Sequence, residues 1–85
     1  MKIFLSRSIY DDPGKIRRII KELESEGHIV YDGVVEYRKR GGTMDLIREC
    51  DLVLVVPCLT PGVKNEYAYA RSIGKKTRIL RRIVK

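Results

Sequence analysis

The stretch "DLVLVV", residues 51–56, is apolar from its second residue to its last, and Pro57 stops it. A strand without polar alternation is buried on both faces, as central strands of parallel sheets are. Such a strand needs helices on both sides and crossover connections to its neighbours. The rest of the chain supplies them. "KIFLS" (2–6) is a short apolar run that reads as a first buried strand. Asp12 followed by Pro13 marks a helix start, with Asp as cap and Pro at the first helical position. Ile16, Ile19, Ile20 and Leu23 then give one apolar face at i, i+3, i+4, i+7. Gly27 closes that helix, and "HIVYD" (28–32) is the second strand.

Residues 33–42, "GVVEYRKRGG", read as a polar, glycine-ended connection without regular structure. Thr43 caps a short helix over 44–50 that turns Leu46 and Ile47 inward. After the strand at 51–56, Thr60 and Pro61 open a further helix, Gly74 ends it, and "TRILRRIV" (77–84) is the last strand. The order β-α-β-(α)-β-α-β predicts a small three-layer α/β fold of the Rossmann or flavodoxin-like kind. It has four parallel strands in the order 2-1-3-4. In such sheets ligands bind beyond the carboxyl ends of the strands, at the switch point between the first and third. The loops "SRSIYDDPG" and "PCLTPG" meet there.

Eighty-five residues make one domain, 1–85, with a modest core, which points to association with copies of itself. No apolar run approaches the ~20 residues of a membrane span, and the apolar part of "MKIFLSRSIYDD" is too short for a secretory signal. A cytoplasmic protein is expected. Cys50 and Cys58 fit that compartment as reduced core residues. The lone His28 has no partners for a metal. The net charge of +7 is concentrated at one end: six of the 18 basic residues and none of the 11 acidic ones fall in "KKTRILRRIVK" (75–85). That leaves 12 basic against 11 acidic residues before it. This tail offers contact with RNA, DNA or anionic ligands; a solvated surface strand is the alternative reading.

One residue breaks the pattern of the 61–73 helix. Val63, Tyr67, Ala70 and Ile73 form its inward stripe, and Glu66 falls on the same stripe. Its i+3 and i+4 neighbours, Tyr69 and Ala70, cannot neutralise it. Either the helix is rotated and Glu66 is solvated, or a carboxylate is held at the crevice as a site residue. An ionised, positioned carboxylate there can act as a nucleophile.

The run "DLVLVVPCLTPGVKNEYAYARSIGKKTRIL" resembles the signature region of the nucleoside 2-deoxyribosyltransferase superfamily. The resemblance lies in an Asp-led strand, a loop, Gly-x-x-x-Glu, an Ala four residues on, and Gly-Lys before a strand: Asp51, Gly62, Glu66, Ala70, Gly74 and Lys75. "KIFLSRSI" resembles the first strand and substrate loop of the 2'-deoxynucleoside 5'-phosphate N-hydrolases. The resemblance implies cleavage or transfer at the N-glycosidic bond of a 2'-deoxynucleoside or its 5'-monophosphate, without metal or cofactor. It implies Glu66 as nucleophile and Asp45 as the second acidic residue. Substrate contacts would come from Ser6, Arg7, Ser8, Ile9, Thr60 and Gly62, with Ser8 and Thr60 as hydroxyls for sugar or phosphate. Arg7 stands where a glycine is common, and Phe4 where the hydrolases carry tyrosine. A nucleotide- or nucleic-acid-binding module without chemistry is the alternative function on the same fold.

Overall fold

The computed structural model describes residues 1–57 and 60–80. Its elements run β1 (Lys2–Ser6), α1 (Pro13–Ser25), β2 (Ile29–Asp32), α2 (Gly33–Arg40), α3 (Met44–Glu49), β3 (Leu52–Val55), α4 (Pro61–Ser72) and β4 (Thr77–Ile79). The four strands form one parallel sheet in the order β2-β1-β3-β4. This is the expected α/β architecture and strand order. The basic run at 81–85, the end of the expected last strand, and Cys58 lie outside the described residues.

Period-two alternation sorts β1 and β3 onto two cores. Ile3 and Leu5, with Leu52, Leu54 and Val56, face α1 through Ile16 and Ile19. Phe4, Val53 and Val55 face the other way, onto Leu46, Ile47 and Cys50 and onto Val63 and Ala70 of α4. The register pairs Phe4 with Val53 and Ser6 with Val55, so Ser6 ends β1 on the α4 side. Asp51 joins the strand starts by accepting a 2.8 Å hydrogen bond from the Lys2 amide.

Helix boundaries follow local chemistry. Asp12 accepts from the Lys15 amide at 3.2 Å and Pro13 follows it. Gly27 and Gly74 take positive φ just past their helices, a conformation glycine adopts without a Cβ penalty. Two expectations are corrected. Residues 33–40 are helical rather than irregular: Asp32 caps α2 by accepting from the Val34 amide at 3.0 Å, and Gly41 closes it at φ 75°. Arg38, Lys39 and Arg40 in the last turn complement the helix dipole. Ile73, assigned to the inward stripe of α4, is 42% exposed, because Ser72 ends the helix and Ile73 is already its cap.

Candidate active site

Glu66 stands in the second turn of α4, half-buried, with its carboxylate at the carboxyl end of β1. The Ser6 hydroxyl donates to Glu66 Oε1 at 2.6 Å, and the Thr43 hydroxyl donates to Oε2 at 2.7 Å. Both donors are buried, Ser6 fully and Thr43 to within 3%. Glu66 is therefore neither core nor solvated face. Two neutral donors hold a carboxylate without cancelling its charge.

The carboxylate lines a cavity of about 340 Å³, within the ~300–1,000 Å³ typical of small-molecule sites. Arg7, Ile9 and Tyr10 of the first loop form one wall. Gly33, Val34, Tyr37 and Arg38 of α2 form a second, and Thr60, Pro61, Gly62 and Val63 close the third. The cavity thus opens at the switch point between β1 and β3. Its position matches the general rule for open α/β sheets.

Arg7 is spoken for. Its Nε and Nη2 donate to the two oxygens of Asp32 at 2.9 and 2.8 Å, a bidentate pair with both side chains mostly buried. Its Nη1 donates to the Ser8 carbonyl at 3.3 Å. Ser8 is buried inside the loop rather than lining the cavity: its amide donates to Asp11 Oδ2 and its hydroxyl accepts from the Tyr10 amide.

Of the residues singled out in the sequence, Arg7, Ile9, Thr60, Gly62 and Glu66 meet around one cavity. Ser6 meets them through Glu66. Asp45 does not. The inward positions of α3 are Leu46 and Ile47, which turns Asp45 outward, 81% exposed and paired with Arg48 one turn on. It is not among the residues lining the cavity.

Sequence reasoning missed Thr43 and Asp32 as partners of Glu66 and Arg7, and missed the α2 side chains Tyr37 and Arg38. The Asp32 cap, the basic last turn and Gly41 are the signals from which α2, and hence its cavity wall, could have been found. Among the described residues no three His, Cys, Asp or Glu side chains gather as metal ligands. No helix among them is long and apolar enough to cross a membrane.

The architecture is similar to that of a member of the nucleoside 2-deoxyribosyltransferase-like superfamily. Among solved structures it is similar to the CMP N-glycosidase BcmB of Clostridium botulinum, a member of that superfamily. The match has a TM-score of 0.73 and 27% identity, covering 93% of this chain and 67% of that one. No family model matches the chain, and no curated protein matches it.

Proposed function

We propose that this chain is an N-glycosidase-like enzyme, cleaving the bond between base and sugar of a nucleoside 5'-monophosphate or 2'-deoxynucleoside, with Glu66 as nucleophile. The observation that carries the reading is the Glu66 carboxylate, held by two buried hydroxyls and lining a cavity at the switch point. The likeness to an enzyme acting on CMP supports the reaction class and a nucleotide substrate.

In the proposed reaction a Glu66 oxygen bonds to the anomeric carbon. The bond from that carbon to the base nitrogen breaks, and its electron pair leaves with the base, which takes up a proton from water. A second water then attacks the same carbon, releases the sugar and restores the carboxylate, its surplus proton going to solvent. Attack by a second base instead of water would give transfer. The cavity walls supply Tyr10 and Tyr37, whose rings suit a base, and Arg38, which makes no ion pair among the described residues and suits a phosphate.

Incubation with ribo- and deoxyribonucleosides and their monophosphates, followed by chromatography for free base, tests the proposal. Glu66→Gln keeps the side chain's shape and removes the nucleophile. It is expected to bind ligand and lose about 10³-fold or more in rate. The placement of Asp45 away from the cavity favours a second reading, a nucleotide-binding module without chemistry. Ligand binding with no base released by the unmodified chain would select that second reading.

A further inference from the structure

We infer that Ser6 and Thr43 are positioning residues that fix the orientation of the Glu66 carboxylate; the inference rests on Glu66 as the attacking group. The two hydroxyls come from distant parts of the chain, 60 and 23 residues from Glu66, and each takes a different oxygen. A glutamate's last torsion is broad and roughly two-fold, so one hydrogen bond leaves the carboxylate plane loosely set. A donor on each oxygen sets it. About four lone-pair sites exist on a carboxylate, so two such bonds leave each oxygen able to reach a sugar carbon.

Neither hydroxyl is turned to its own element. Ser6 is buried at the end of a central strand whose other inward residues are apolar, a place suited to a β-branched side chain. Thr43 occupies the cap position of α3, yet its side chain makes no cap bond. Its hydroxyl is turned to Glu66 instead of its own helix. The same holds in a weaker form at Thr60, which also heads a helix without a side-chain cap bond and lines the cavity. By contrast Asp12 and Asp32, which do not touch Glu66, both cap their helices.

The variants Ser6→Ala, Thr43→Val and Thr43→Ser separate this role from packing. Thr43→Val keeps the volume and loses the hydroxyl; Thr43→Ser keeps the hydroxyl and loses a methyl group. With the substrate that releases base, Ser6→Ala and Thr43→Val are expected to lower kcat about 10²-fold, the scale of a small misplacement of a reacting group. KM should change less than about twofold in both, because uniform binding is untouched, and Thr43→Ser should keep most of the rate. Equal losses in Thr43→Val and Thr43→Ser, or a raised KM with kcat intact, would overturn the inference.

A second measurement needs no turnover. Thr43→Val should lower the urea midpoint of the unmodified chain and leave the midpoint of the Glu66→Ala chain unshifted, since no carboxylate is there to hold. Equal shifts in the two backgrounds overturn the inference whether or not any substrate is cleaved. A Glu66→Gln variant as active as the unmodified chain would instead remove the proposed nucleophile, an outcome that the stability measurement does not share.

Discussion

Arg7 and Asp32 spend their charges on each other at the edge of the cavity, and this changes what each should do when replaced. Removing one partner of a buried, bidentate pair leaves the other charge uncompensated, a loss of about 3–5 kcal/mol when burial is complete. Both side chains here retain some exposure, 12% and 14%, which places the effect toward the lower end. Asp32 also caps α2 through the Val34 amide, worth about 1 kcal/mol. Asp32→Ala should therefore destabilise by about 4 kcal/mol, and Asp32→Asn, which keeps an oxygen for the cap, by less. Urea midpoints decide; equal midpoints for the two variants would remove the cap from the account. Cys50 gives a pH-dependent test. It is 1% exposed, and burial pushes its thiol up to about 11, with Lys75 pulling the other way. An unfolded thiol loses its proton near ~8.5. The folded state thus binds more protons between those values, so Cys50's contribution to stability is complete below about 8.5 and is lost as the pH rises toward 11. Alkylation of Cys50 at pH 8, followed by peptide mass spectrometry, should be slow until denaturant is added. Rapid labelling of the native chain would contradict the burial.

The element on which the site turns is α2, and glycine is what lets it approach the sheet. A Cβ on Gly33 would lie 2.8 Å from the Leu5 carbonyl oxygen and 3.0 Å from Phe4 Cζ. The first of these is backbone in a central strand, which cannot step aside cheaply. Gly33→Ala should cost about 1–3 kcal/mol, the range for overpacking. It should also raise KM, because the displaced helix carries Tyr37 and Arg38 in the cavity wall. Thermal melts and substrate titration check the two effects together. With Arg7 committed to Asp32, the proposed function leaves the phosphate contact to Arg38 of the cavity wall. Arg38→Ala should weaken monophosphates about 10- to 100-fold, as the loss of a charge-assisted hydrogen bond would, and nucleosides much less. Equal losses for both ligand types in calorimetric titration would count against it. The helices α1 and α4 were legible beforehand because Asp12-Pro13 and Thr60-Pro61 open them and glycine follows each. The sheet order was legible because every strand was joined to the next by a crossover. α2 was not, since a glycine and two β-branched valines open it and only Gly33 and Val34 are buried. Glu66 was visible as a carboxylate on an apolar stripe. Its partner Thr43 and Arg7's partner Asp32 were not, because they stand 23 and 25 residues away and no sequence spacing encodes those meetings.

At the scale of the whole molecule, one sheet separates two cores, and the site draws on only one of them. Phe4, Val53, Val63 and Ala70 belong to the cluster beneath Glu66, whereas Ile16 and Ile19 of α1 close the cluster on the far side. The two clusters share β1 and β3 as alternating residues of the same strands, so neither can lose its packing without loosening the strands that carry the other. Small domains usually unfold in one step, and this shared backbone gives a reason for it here. The tyrosines make the point measurable. The chain has five and no tryptophan; Tyr31, Tyr67 and Tyr69 pack against the α3/α4 cluster. Tyrosine fluorescence therefore reports chiefly one face, while circular dichroism also reports α1, the longest helix at 13 residues. Ile16→Ala removes a side chain only 2% exposed from the α1 face, at a cost of about 2–5 kcal/mol. Against a total of roughly 4–13 kcal/mol for a domain of this length, that is a large fraction. Both signals should shift to lower urea together and by the same amount, although among the described residues no buried or partly buried tyrosine packs on the deleted group's cluster. A dichroism transition that moves while the tyrosine transition stays would mean that the face carrying Glu66 holds its packing without α1.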